Sequence, residues 1–160
     1  MEIGGFPSQT NFAREVLYSA GPTILPQLAR LLREAPLDQQ AKAAYVMGTI
    51  CYRQPDAPEV HDAVPTLTAS AKSTSSEVRI YSIQALAAIG EAASSAILDM
   101  IQLTTDTNDG VRMSAVDALG RIGADSPESQ AALTAAMSDT SADVRITAKK
   151  ALEMTQINQK

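Results

Sequence analysis

DGVRMSAVDALGRIG, residues 109–123, decides the fold, because its pattern stands twice more in the chain. SEVRIYSIQALAAIG occupies residues 76–90 and ADVRITAKKALEMTQ occupies residues 142–156. Each copy opens on a Val-Arg pair and carries Ala-Leu seven and eight positions after the valine. At about 100° per residue, Val111, Ala115, Ala118, Leu119 and Ile122 fall on one side, which is the apolar stripe of an amphipathic helix. Ser75, Asn108 and Ser141 stand three residues before the three valines. Their side-chain oxygens suit the free N–H groups of a first helical turn. Gly90 and Gly123 follow the periodic run, where a left-handed glycine closes a helix without a Cβ penalty. This repeated element is helix B.

Working outward, the pairs Val16-Leu17, Val46-Met47, Ala85-Leu86, Ala118-Leu119 and Ala151-Leu152 align at spacings of 30, 39, 33 and 33 residues. Gln9 and Gln39 take the place of the valine in the first two copies. A second pattern, helix A, precedes the later copies: Leu28, Leu67, Met100 and Leu133 share one slot, and Leu25, Val64, Ile97 and Gln130 the slot three earlier. Pro26 and Pro65 share a third slot, so the first two A helices are expected to kink or to begin late. The excess in the 39-residue spacing falls in CYRQPDAPEVH, residues 51–61, where Pro55, Asp56 and Pro58 predict a connecting loop.

A two-helix unit of roughly 33 residues cannot bury its stripe alone, whereas stacked units bury one continuous core. The expected fold is all-α: a right-handed α-α superhelix, or α-solenoid, of about four helical hairpins plus an N-terminal half-repeat helix. Its divisions are a lead-in and half-repeat helix over 1–21, then repeats over 22–51, 52–90, 91–123 and 124–160, the last including a C-terminal cap. Five positions after the valine the row runs Arg14, Ala44, Ile83, Val116, Lys149, charged only in the terminal copies. The last copy carries Thr155 and Gln156 where its sisters carry Ile and Gly. Both features suit a terminal unit whose outer face meets water.

V-R-x-x-A-x-x-A-L-G-x-I-G resembles the short HEAT-like repeats of the phycobilisome lyase type. DGVRMSAVDALGRIG matches that pattern almost position for position, SEVRIYSIQALAAIG closely, and ADVRITAKKALEMTQ in its first half. The resemblance holds best from about residue 62 to 154 and stays in register from 13 to 51, where Gln39 and Gln40 replace Val-Arg. It implies a curved array with the B helices on the concave side. It also implies, as one function, an accessory or catalytic part in attaching or removing a chromophore.

Composition narrows the choices. Apolar residues make up 45% of the chain and aromatic residues only 4%, which fits close-packed, alanine-rich helices. The formal net charge is -5 with a pI near 4.8, and no basic stripe is present to neutralise phosphates. Nucleic acid is therefore disfavoured as a partner, and so is an anionic membrane. No run reaches the roughly 18 consecutive apolar residues of a membrane span, and MEIGGFPSQTNF has neither the basic nor the apolar region of a signal peptide. A cytoplasmic location is slightly favoured.

Cys51 is the one cysteine and reads as a buried structural thiol. His61 is the one histidine and is followed by Asp62, so the paired His-Glu motifs of the di-iron solenoid hydroxylases are missing. No metal, no cofactor and no enzymatic activity are expected.

Two sets of residues stand out. Arg79, Arg112 and Arg145, with Asp106 and Asp139, are expected to form a structural ladder bracing the turns between helices. Two positions after the valine, opposite the stripe, Ala41, Ile80, Met113 and Ile146 form an apolar row with Tyr45 and Tyr81 nearby and Arg121 and Met154 extending it. We assign Tyr45, Ile80, Tyr81, Met113, Arg121 and Ile146 as the candidate partner-binding set. The expected function is a monomeric, non-catalytic scaffold that offers this surface to a protein or peptide. The chromophore role and a nucleic-acid-binding solenoid are the alternatives.

Overall fold

The computed structural model describes residues 19–123 and 125–158, and every regular element among them is helical. The half-repeat helix expected over residues 1–21, with Tyr18 on its surface, falls almost wholly outside the described residues. Helices α1 (Leu25–Glu34), α3 (Pro58–Ser70), α5 (Ile97–Leu103) and α7 (Pro127–Ala136) form the A row. Helices α2 (Leu37–Arg53), α4 (Ser76–Ile89), α6 (Asp109–Ile122) and α8 (Ala142–Asn158) form the B row. Two 3-10 segments, Gly21–Ile24 and Gly90–Ala96, lead into α1 and α5.

Local chemistry sets the starts. The Ser75 hydroxyl accepts from the Val78 N–H at 3.4 Å and the Asn108 carbonyl oxygen accepts from the Val111 N–H at 3.1 Å, each filling an unpaired donor of a first turn. Ser126 does the same for α7 at 3.3 Å, with Pro127 beginning the helix. Pro58 opens α3 in the same way, because its missing N–H has no partner to lose at a first position.

That placement corrects the loop expected over residues 51–61. Cys51 to Arg53 close α2 and Pro58 to His61 open α3, so only residues 54–57 connect them. The extra residues lengthen helices: α2 has 17 residues, against 14 in α4 and in α6. Cys51 sits where other repeats have glycine because α2 has not ended there.

The A helices bear out a late start for α1, where Pro26 falls in the first turn after a 3-10 lead-in. Pro65 lies inside α3, which runs on to Ser70. α5 also begins late, behind Gly90–Ala96, with no proline to announce it. The stretch Ser76–Leu103 is long and apolar enough to cross a membrane by composition. Gly90 at φ 69 and the 3-10 segment divide it into α4 and α5.

Gly123 departs from expectation, with φ -127 rather than a left-handed value. A Cβ there would stand 3.1 Å from Ile97 Cδ1 and collide with the Ser129 hydroxyl. Glycine therefore lets the end of α6 close against α5 and α7.

Each B helix presses its stripe into the next. Val78, Ile83, Leu86, Val111, Val116, Leu119, Val144 and Ala148 are all fully buried. Lys149, in the slot of Ile83 and Val116, is exposed on α8. Thr155 runs against expectation: it is 3% exposed, and its hydroxyl donates to the Leu152 carbonyl at 2.8 Å. Neighbouring B helices meet along much of their lengths, whereas α5 and α7 barely touch across the A row.

Candidate interaction surface on the B helices

Two layers of side chains cover the B side, one bracing the turns and one facing water. In the first, Arg79 donates through Nη1 to the Ser73 and Thr74 carbonyls at 2.9 and 3.2 Å, and through Nη2 to Asp106 at 2.9 Å. Arg112 repeats this with the Asp106 and Thr107 carbonyls at 3.0 and 3.4 Å and grips both Asp139 oxygens at 2.9 Å each. Both pairs join residues 27 apart in sequence, one repeat to the next. Arg145 donates to the Asp139 and Thr140 carbonyls at 2.7 and 3.0 Å. No carboxylate reaches it among the described residues.

The first hairpin carries an uncharged version that the repeated motif did not reveal. Gln40, in the arginine's slot, donates to the Ala35 carbonyl at 2.8 Å. Ser73 stands in the aspartate's slot and accepts from the Ser75 N–H at 3.3 Å, where Asp106 and Asp139 accept from Asn108 and Ser141 at 2.8 Å. The donor and acceptor slots are thus both neutral across the first step and both charged across the next two. Register alone, one residue after Gln39 and five before Val78, would have found them.

The hydrogen bonds from Arg112 hold the Asp139 carboxyl below its ordinary range, with the Ser141 N–H adding to the effect. A depressed native pKa contributes stability above the unfolded value, about 3.9, and loses it as pH falls through the native value. Asp139→Asn should therefore melt below the wild type at neutral pH, with the two converging in acid. Thermal melts by circular dichroism between pH 2 and pH 7 check this, and a constant gap would contradict it.

The second layer is a groove between successive B helices. Its floor is built from the residue six after the valine slot on one helix and the residue three after it on the next. Across α2–α4 these are Tyr45 and Tyr81, whose rings meet edge to face at 5.5 Å and 71°. Across the later steps they are Gln84 with Ser114 and Asp117 with Thr147. These four and Met113 line an open depression of about 210 Å³. An aromatic pair thus fills the first step, and short polar side chains leave the others open.

The apolar row divides accordingly. Ala41 is buried, which removes it from the surface. Ile80 is half-buried, and its Cδ1 lies 3.2 Å from where a Cβ on Gly110 would stand, so it packs over the start of α6. Met113 and Ile146 face water at 37% and 53% exposure. Tyr45 and Met154 are exposed and Tyr81 half-buried. Arg121 is exposed and paired with Asp117 at 2.9 Å, one turn back on α6.

Elsewhere, burial pushes the Cys51 thiol up to about 12, leaving it protonated and unreactive at neutral pH. His61 is exposed on α3. Among the described residues no three His, Cys, Asp or Glu side chains converge as a metal site.

Residues 93–153 match the family model for HEAT repeats. The fold is a HEAT-like α-solenoid. An engineered protein of the Northeast Structural Genomics Consortium superposes with a TM-score of 0.66 at 25% identity, over 82% of this chain and 62% of that one. A second, also at 25% identity, gives 0.70 over 90% of this chain and 40% of its own. The chain thus spans less than two thirds of either engineered protein. A designed armadillo repeat protein in complex with the peptide (KR)4 gives 0.67 at 17% identity, over 93% of this chain and 77% of that one. No curated protein matches the sequence. The HEAT-like match takes in α6 and most of α8, the two helices that carry Met113 and Ile146.

Proposed function

We propose that this HEAT-like solenoid is a non-catalytic scaffold that binds a protein segment along the inner curve of its B helices. The observation that carries this reading is the exposure of two apolar side chains on successive B helices, Met113, which lines an open depression, and Ile146. An array of this kind holds its surface residues in fixed register, so a peptide or helix docks without ordering the scaffold. The (KR)4 complex of the designed armadillo protein supports a peptide as the partner. For the non-catalytic part, support comes from the chemistry of the groove. Its polar residues are an amide, two hydroxyls and one carboxylate engaged by Arg121, with no activated nucleophile or base among them.

The packing of Ile80 over Gly110 makes Met113 and Ile146 the better probes of this surface. Met113→Asp with Ile146→Asp should abolish partner capture in a pull-down while leaving helicity unchanged and shifting the melting temperature by only a few degrees. Unchanged capture by the double variant would rule out this face. Extensive unfolding would show instead that the two side chains are part of the core.

A further inference from the structure

We propose that the depression between α4, α6 and α8 is a pocket for one lysine or arginine side chain of the bound segment. This rests on the scaffold reading and adds the chemical class of the partner.

The pocket has the two parts such a side chain needs. Met113 gives an aliphatic wall for the methylene stem. Asp117 gives a carboxylate for the charged head, and Gln84, Ser114 and Thr147 surround it with oxygen atoms. Asp117 already pairs with Arg121, but both side chains are about half exposed, at 48% and 46%. An exposed i,i+4 pair of this kind is weak, so a cation held against Met113 displaces Arg121 with little penalty.

The surroundings favour the same sign of ligand. The rim at the N-terminal ends of α4, α6 and α8 carries Glu77, Asp106, Asp109, Asp139 and Asp143 against Arg79, Arg112 and Arg145. The guanidinium groups of Arg79 and Arg112 are fixed on backbone carbonyls and on Asp106 and Asp139. Glu77 and Asp109 are exposed one turn before Tyr81 and Met113 on the same helix faces. Carboxylates thus outnumber arginines along this rim, and the chain as a whole carries -5.

The groove also limits where the cation sits. Tyr45 and Tyr81 close the α2–α4 step. Lys150 takes the slot of Asp117 one repeat later and reverses the sign there.

The test uses the full chain and a fluorescein-labelled dodecapeptide of alternating lysine and leucine, read by anisotropy at low and high salt. Two matched peptides replace lysine by norleucine, which keeps the stem and removes the charge, or by glutamate. The lysine peptide should bind about tenfold more tightly than the norleucine peptide, with the gap narrowing in salt. Asp117→Asn should weaken the lysine peptide about five- to tenfold and leave the norleucine peptide unchanged. Met113→Ala should weaken both, and Glu59→Gln, on α3 in the A row, neither.

Equal binding of the norleucine or glutamate peptide, no effect of Asp117→Asn, or no binding by any peptide would overturn the pocket. Binding of all peptides that survives Met113→Asp with Ile146→Asp would instead remove the scaffold face itself.

Discussion

Gly120→Leu should unseat the last hairpin. A Cβ on Gly120 would stand 2.7 Å from Ala151 Cβ and 3.2 Å from Ala151 Cα, so the obstacle is partly the backbone of α8. A flexible side chain could rotate away, but a helix backbone moves only as a body. Over-packing of this kind ordinarily costs about 1–3 kcal/mol, and the rigid opposing backbone puts leucine at or above about 3 kcal/mol. In a stacked array the penalty falls on one interface, so α7 and α8 should exchange their amides before α4 and α6 do. Gly48 is the control. A Cβ there meets Ala85 at 3.4 Å, an ordinary contact, and α2 gains helix propensity of about 1 kcal/mol from alanine. Gly48→Ala should be neutral or stabilising in urea melts, and Gly120→Leu strongly destabilising. Similar midpoints for the two variants would show that the α6–α8 approach is not the constraint.

The valine stripe and the caps at Ser75 and Asn108 are local signals repeated several times, and repetition separates a pattern from chance. Once the register was counted, burial of Ile83, Leu86, Val116 and Leu119 followed from helical periodicity. At Gly123 the sequence is ambiguous because a glycine after a helix has two possible reasons, a left-handed φ or a close neighbour. Only the position of Ile97 on another helix decides between them. The segment 51–61 is ambiguous for a related reason. Proline is a breaker inside a helix and a favoured first residue at its start, and the sequence around Pro58 suits both.

The surface was legible only in outline. Periodicity placed Ile80, Met113 and Ile146 on one row, but it could not show that Ile80 leans onto Gly110 while the other two reach solvent. Nor does a one-dimensional pattern pair position six of one helix with position three of the next. That offset depends on how far adjacent helices slide, and it puts Tyr45 on Tyr81 and leaves Gln84, Ser114, Asp117 and Thr147 around a depression. Gln40 and Ser73 stand outside the repeated motif because they keep the geometry of the ladder and abandon its charge.

Two substitutions one turn apart in α4 should move stability in opposite directions. Leu86 is fully buried, so Leu86→Ala removes apolar contact and leaves a cavity walled by helices on both sides. The loss should be about 3–4 kcal/mol. Ser82 is also fully buried, and among the described residues its hydroxyl has no hydrogen-bond partner, not even the carbonyl one turn back that serines in helices commonly use. Its sister positions are Ala43, Ala115 and Ala148, all buried, so the site already tolerates alanine in every other described repeat. Ser82→Ala removes a desolvated hydroxyl without creating a cavity larger than one oxygen atom, and should raise stability by about 1 kcal/mol. Chemical denaturation of the two variants and the wild type, with unchanged denaturant slopes, gives the comparison. A destabilised Ser82→Ala would mean that the hydroxyl finds a partner in solution, such as a trapped water. A small loss from Leu86→Ala would mean that α4 and its neighbours close in on the cavity, contrary to the tight stacking at Gly48 and Gly120.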